Sequence, residues 1–351
     1  MTKHLKFFLV LAAVIIICAV NIFNAENMIA AVKASVETCL YIIIPSLFGF
    51  MVISGFLIKS GLHSMIFAPL YFVLRFIIHV DREEFSIIML SLIGGYPVGA
   101  KLIADSGRSD TSALLPYCYC AAPVFLMGIV GMGIFGNAKI GLYVYLANAA
   151  SCFLLSAAAN VKRPIMYKKF KADIKINLQI MISSVLSAST SIITVCSMII
   201  FFSLIVETVR FFCGEPLSHG VFSAGLLTFL EISNVLAFPR YNILLLPLIA
   251  ALTSFGGCCV IMQTAALIGN KINIKPFLLA RLPAAVLSAG LCQIIAGFAK
   301  VDLSLSTGTV NWSKAISAPL NFYLSGIANP TASVMLIIMA VLLIKNEKLP
   351  D

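Results

Sequence analysis

Ser91-Leu92-Ile93-Gly94-Gly95-Tyr96-Pro97-Val98-Gly99-Ala100-Lys101 is a glycine-broken stretch inside an overwhelmingly apolar chain. A second one, Thr253-Ser254-Phe255-Gly256-Gly257-Cys258-Cys259-Val260-Ile261-Met262-Gln263, occupies the other half. Within a bilayer, backbone that stops being helical has to be buried in protein or line a wet cavity, because lipid cannot satisfy the freed N–H and C=O groups. Two such breaks at corresponding places in two halves mark a transporter's binding site. Each doublet taken alone also fits a close-packing point between membrane helices. The polar residues that follow each doublet favour a site.

Hydrophobic residues make up 61% of the 351 residues and charged residues 11%, against about 25% charged in an ordinary soluble domain. The expectation is an all-α polytopic membrane protein, a single membrane domain with roughly eight membrane helical elements, each needing about 20 residues to cross. The formal charge of +10 does not point to nucleic acid, because the basic residues are spread through loops and chain ends. In such a chain they set orientation. Lys162, Arg163, Lys168, Lys169, Lys171 and Lys175, opposed only by Asp173, form the strongest cluster, which is expected in the cytoplasm. The basic ends (Lys3, Lys6, Lys345, Lys348) make the same claim, and ordinary spans do not satisfy all three at once. At least one apolar segment is therefore expected to enter and leave on the same side.

The ten cysteines sit mostly in apolar runs, where a free thiol behaves as a small hydrophobe. Cys118-x-Cys120 and the adjacent Cys258-Cys259 lack the spacing of a structural zinc site, so no metal and no other cofactor is expected. Leu5 to Phe23 starts like a signal peptide but is too long in its apolar part, and reads as a retained first helix.

Further along, apolar runs are expected to span at Cys39–Ile58, Met65–Val80, Ser112–Phe135, Ile140–Ala159, Val221–Phe238 and Phe277–Phe298. Ile176–Ser191, rich in Ser and Thr, leads into a further run to Phe212, and a last helix is expected over Ala332–Ile344. Phe85–Ala104 has arms of only about 9 or 10 residues around its break, too short for a 30 Å core at 1.5 Å per residue, and reads as a re-entrant hairpin. Ile243–Ile268 carries the second break. Cys120-Ala121-Ala122-Pro123 is a third candidate interruption, since proline removes a helical donor. Each half thus runs in one order: apolar helix, polar interruption, broken hairpin, charged turn, then a span with an early proline. That order is the hydropathy signature of an internal repeat, expected to be inverted.

The Gly94 to Lys101 motif, the Cys118 to Gly136 segment, the Ser254 to Gln263 hairpin and the Leu279-Ala280-Arg281-Leu282 run resemble the sporulation integral membrane protein YlbJ family. That family belongs to the nucleoside-recognition, or Gate, domain proteins related to concentrative nucleoside transporters. The resemblance runs from about Ile44 to Phe298. It implies a first Gate-like repeat at 37–161 behind an N-terminal helix and connector at 1–36. A basic loop at 162–178, a second repeat at 179–299, and a polar loop with C-terminal helix at 300–351 follow. It also implies a multi-pass protein of the mother-cell or outer forespore membrane of a spore-forming bacterium, moving dipicolinic acid into the developing spore. Relatives carry polar residues before the proline of the broken helix, where this chain has Cys120-Ala121-Ala122. Exposed backbone would then do the polar work.

A pyridine dicarboxylate needs positive potential and donors. Half-helix N-termini at Gly94, Gly95, Tyr96 and Pro97, at Pro123, and at Gly256 and Gly257 offer N–H groups and partial positive charge. Lys101 and Arg281 add full charges, the latter as a bidentate fork, although each also fits snorkelling at a membrane surface. Ser254 and Gln263 flank the second break as polar contacts or helix glue. Glu231, read as lying about ten residues into an apolar helix, is costly there and so a coupling candidate, with Asn234 on its face; a structural pair with Arg281 or Lys101 is its alternative. No G-x-S-x-G, H-E-x-x-H or P-loop pattern occurs, so no enzyme is expected. The expected partners are membrane lipid and a small-molecule anion, without nucleic acid; homo-oligomers and sporulation membrane partners stay open. A nucleoside-like solute carrier and a non-transporting scaffold for spore-envelope assembly are the rival functions.

Overall fold

The computed structural model describes residues 3–106, 114–161, 174–214, 220–240, 242–269 and 273–298. Most of the basic cluster and the expected polar loop and final helix fall outside them. Every regular element among the described residues is helical.

Two long rods set the frame. After α1 (Lys3–Phe23), α2 (Ala25–Thr38) passes through a wide π-type turn, Cys39–Ile43, into α3 (Ile44–Ser60), giving a 36-residue apolar stretch. Pro45 does not break it, because the widened turn just before absorbs the missing donor. The second rod, α11 (Leu178–Cys213), is also 36 residues long and does not divide near Ser191. Its hydroxyls fold back onto the preceding turn, as in Ser184 to the Ile180 carbonyl (2.8 Å) and Thr194 to Thr190 (2.9 Å), so the Ser/Thr-rich stretch stays helical without exposing polar atoms to lipid. The rods pack antiparallel. The Lys175 N–H donates to the Ser60 carbonyl (3.1 Å) at one end, and the Asn24 amide reaches Glu207 (3.5 Å) at the other.

Between and beside the rods lie shorter pieces. His63–Ile66 (α4) and Ala68–Leu74 (α5) replace the span expected over Met65–Val80; α5 is only 7 residues long, and Arg75 lies over the Phe72 and Phe76 rings just beyond its end. Arg82–Gly94 (α6) opens with a reciprocal capping box, Glu84 N–H to Asp81 (2.8 Å) and Asp81 N–H to Glu84 (3.0 Å), which is why the charged group there starts a helix. Tyr96–Asp105 (α7) follows. At 13 and 10 residues these helices are about 20 and 15 Å long, so neither crosses 30 Å alone.

Residues 115–122 form no helix, contrary to the full span expected from 112. Helix resumes only at Pro123, through α8 (Pro123–Phe125), a π-type stretch (Leu126–Met132) and α9 (Gly133–Phe135), before α10 (Ala138–Asn160). In the second half, α12 (Val221–Leu230) gives way to a tight 3₁₀ turn, Ile232–Ala237. Then come α13 (Leu246–Phe255), α14 (Gly257–Ile268) and α15 (Lys275–Phe298), the last passing Pro283 without ending. The helix α13 runs along α15 and α10, whereas α14 turns away to pack on α7, α11 and α12.

Among the described residues, five stretches are long and apolar enough to cross a membrane: Ala25–Ser60, Ala138–Asn160, Leu178–Cys213, Ile243–Ile268 and Lys275–Phe298. Their polarity is inside-out for water. On α15, Leu279, Leu282 and Val286 are 76%, 67% and 73% exposed, while Arg281 and Ser288 are fully buried. A solvent that rewards that arrangement is lipid. The chain is a multi-pass membrane protein.

Candidate site where four helix breaks meet

Gly95 ends α6 and caps α7 at φ +90°, a backbone conformation that a side chain disfavours. A Cβ there would sit 3.0 Å from the Ala122 nitrogen and 3.2 Å from its Cα, so the first break is lodged against the irregular 115–122 segment. The second break pairs two left-handed glycines, Gly256 (φ +89°) and Gly257 (φ +77°). A Cβ on Gly256 would meet the Tyr119 ring at 2.6 and 2.7 Å, and one on Gly257 would lie 3.1 Å from the Thr228 carbonyl oxygen and 3.6 Å from the Ile232 nitrogen. The second doublet thus touches both the 115–122 segment and the break after α12. Four interruptions of helix converge in the protein interior.

Side chains tie them together. The Tyr96 hydroxyl donates to the Thr253 carbonyl, joining the two glycine breaks, and the Tyr96 and Tyr119 rings stand 4.6 Å apart. The Asn148 amide on α10 donates to the Thr253 hydroxyl (3.1 Å), and Ser288 on α15 donates to the Asn148 carbonyl oxygen. The Tyr119 hydroxyl, buried against Gly256, has no hydrogen-bond partner among the described residues.

Arg281 does not reach a membrane surface. Its guanidinium donates to the carbonyls of Pro116 and Tyr119 (3.4 Å to the latter) and lies over the Tyr119 and Phe277 rings at 4.5 and 4.8 Å. Free carbonyls of non-helical backbone are what a membrane interior cannot leave unsatisfied, and the planar fork serves two at once. No carboxylate pairs with it among the described residues, so its charge adds to the partial positive charge of the helix starts at Tyr96, Pro123 and Gly257.

Lys101 lies elsewhere. It is buried on α7, bonds Asp105 one turn on, and shares that carboxylate with Ser187 of α11 (2.9 Å) and, more distantly, Lys59 (3.9 Å). Gly94 is closed in by Phe50, and Pro97 occupies the first turn of α7. Ser254 is buried beside the second break, and Gln263 donates to the Cys259 sulfur (3.3 Å) two turns into α14.

Glu231 is not mid-helix: α12 stops at Leu230, and the carboxylate caps the turn that follows. It accepts from the Ser233 N–H (3.0 Å), the Ser233 hydroxyl and the Asn234 amide (3.2 Å), and pairs with neither Arg281 nor Lys101. It faces a cavity of about 190 Å³ between this break and the two rods. Arg210, which donates to the Asn234 carbonyl oxygen (3.4 Å), lines both this cavity and a neighbouring one of about 390 Å³.

The sequence reading singled out neither Tyr119, Asn148, Thr253 and Ser288 at the centre nor Asp105 and Arg210 at the ends. Their signal was present in part: Asn148 and Ser288 are polar residues inside apolar helices, and Tyr119 lies between Pro116 and Pro123.

Fold and interior together define a polytopic α-helical membrane protein with polar, non-helical backbone at its core. The chain is similar to the sporulation integral membrane protein YlbJ of Bacillus subtilis (strain 168), with 27% identity over 155 residues, 41% of this chain and 36% of YlbJ. The aligned stretch therefore spans little more than a third of that relative. No family model matches the chain, and no solved structure matches it. This is a membrane protein related to a sporulation integral membrane protein.

Proposed function

We propose that the chain is a transporter of a small anionic or heteroaromatic metabolite, dipicolinic acid, across the outer forespore membrane during sporulation. The observation that carries this reading is the meeting of four helix interruptions, one of them held by a buried, carboxylate-free Arg281. Such backbone is expensive in a membrane and is kept where a solute or its water must be met. Helix starts, Arg281 and the Tyr96–Tyr119 ring pair suit a flat dianion: positive potential for the carboxylates and an aromatic face for the ring. In this reading the pieces amount to roughly eight membrane elements, with α6–α7 and α13–α14 as re-entrant halves of an inverted Gate-like repeat. The paired 36-residue rods and the paired glycine breaks support it.

The test is uptake of labelled dipicolinate by proteoliposomes, against empty liposomes and with nucleosides as competitors. Saturable uptake resisted by excess nucleoside supports the proposal. Uptake abolished by nucleoside moves the assignment to a nucleoside-like carrier. No uptake of either, in folded protein, overturns transport and leaves the scaffold.

A further inference from the structure

We propose that Glu231 is a proton-binding carboxyl, reached by water through the cavity at the Arg210 end of α11, from the membrane face opposite the one that holds Lys175, the described end of the basic segment. This rests on the transport reading for its purpose, but not for its chemistry.

Glu231 is 6% exposed and its carboxylate has no Lys, Arg or His partner among the described residues. The nearest base on its cavity, Arg210, is engaged by Asn234 (3.4 Å) and lies 3.8 Å from Glu207. With Glu207, Glu231 and Arg210 on its walls, the cavity carries one uncompensated negative charge. A proton cancels it more simply than a metal ion. The groups aimed at Glu231 are hydrogen donors, the Ser233 N–H and O–H and the Asn234 NH₂, whereas a hard cation needs several converging oxygens.

Both protonation states can be satisfied in place. A hydronium ion in the cavity gives its proton to a Glu231 oxygen and leaves as water. The new O–H then donates to the Ser233 hydroxyl, which can turn from donor to acceptor. Asn234 cannot turn, since its oxygen is committed to Arg210. Arg210 is thus a positioning residue, acting through Asn234.

Access follows from volume and place. About 190 Å³ is room for several waters at about 30 Å³ each in the liquid, and Ser35, Thr38 and Ser203 add polar wall. Arg210 lies in the last turn of α11, about 48 Å along the helix from Leu178, a length that exceeds the roughly 30 Å of a hydrocarbon core. The other titratable groups near Glu231 are Glu207 on α11, Cys39 on the first rod and Cys259 on α14.

The experiment is infrared difference spectroscopy of the full chain in vesicles of one orientation, fixed by amine labelling of the basic segment, with acid applied to one face at a time. A protonated-carboxyl band should rise when the face opposite the basic segment is acidified. It should be absent in Glu231→Gln and should return, shifted, in Glu231→Asp. In Arg210→Gln it should persist with a changed midpoint pH, which a merely structural arginine would not produce. A band unchanged in Glu231→Gln, no band at any pH, or a band raised only from the basic-segment face overturns the proposal. Dipicolinate uptake is scored on the same vesicles. The band without uptake would sink the transport reading and leave the proton site; uptake without the band would do the reverse.

Discussion

Gly256→Ala isolates the contact on which the central site depends. Two costs add. A non-glycine residue held near φ +89° loses about 1–2 kcal/mol to the left-handed backbone, and a methyl placed 2.6 Å from a Tyr119 ring carbon overpacks a filled interior, costing about 1–3 kcal/mol. The total is about 2–5 kcal/mol. Gly128→Ala is the control: its Cβ meets nothing within 4 Å and its backbone is helical, so the change should be neutral or stabilise by up to about 1 kcal/mol. The assay is reversible unfolding in mixed micelles with increasing dodecyl sulfate, followed by helical circular dichroism. Repeating Gly256→Ala in a Tyr119→Ala background separates the two costs, because the steric part should vanish while the backbone part stays, a coupling of about 1–3 kcal/mol. Equal cost in both backgrounds, or Gly256→Ala no worse than Gly128→Ala, would refute the reasoning that the second break is seated on Tyr119.

Asp105→Asn leaves buried Lys101 and half-buried Lys59 without their acid, and should cost about 3–5 kcal/mol in the same assay; pairing it with Lys101→Met should recover most of that. Tyr96→Phe removes the bond to the Thr253 carbonyl and should cost about 0.5–1.5 kcal/mol, with no effect on membrane insertion; a loss of insertion would mean the tyrosine does more than bridge the breaks. His63, in the short helix after the first rod, donates its Nδ1–H to the Leu57 carbonyl oxygen (3.1 Å), and burial lowers its pKa below the usual 6.5 despite that bond and Glu83 and Asp81 nearby. The folded state therefore resists protonation longer than the unfolded one, so stability should fall as pH drops below about 6.5, and His63→Gln should flatten that slope. An identical slope in the variant would show that other groups carry the acid sensitivity.

The glycine breaks and the buried charges were legible because each violates a strong local rule: glycine doublets interrupt apolar periodicity, and Glu231 and Arg281 are costly in hydrocarbon. Their roles were less legible, since partners came from far away. Arg281 bonds carbonyls 162 and 165 positions distant in the chain, and a carbonyl has no sequence signature. The break at Glu231 was invisible for a related reason. No proline or glycine marks it; the side chain itself competes for the backbone N–H of Ser233 and caps a new turn. Pro45 and Pro283 lie inside spans expected from the sequence, and both helices continue past them, the first with its missing donor absorbed by a π-type turn and the second carried inside α15. Proline states only that one donor is gone; whether the helix bends depends on the neighbouring turn.

The polar groups divide along the rods in a way that constrains any passage through the protein. Lys59, Lys101 and Asp105 gather where α11 begins, near Ser183 and Ser187, whereas Glu207, Arg210 and Glu231 gather where it ends. From Ser187 to Glu207 is 20 residues, about 30 Å of helix, the thickness of a hydrocarbon core. One end carries two bases and one acid, the other two acids and one base, so the net charge changes sign across that distance. Between them the interior holds Arg281, bound by carbonyls, neutral hydroxyls and amides, and the open backbone of the breaks at Gly95, 115–122 and Gly256–Gly257. Under the proposed transport function, an anion drawn toward the positive end would be handed through the middle by N–H groups and Arg281. Those groups are closed by Tyr96, Tyr119 and the carbonyls of 116–119, so the barrier to passage lies in parting those contacts rather than in reaching them.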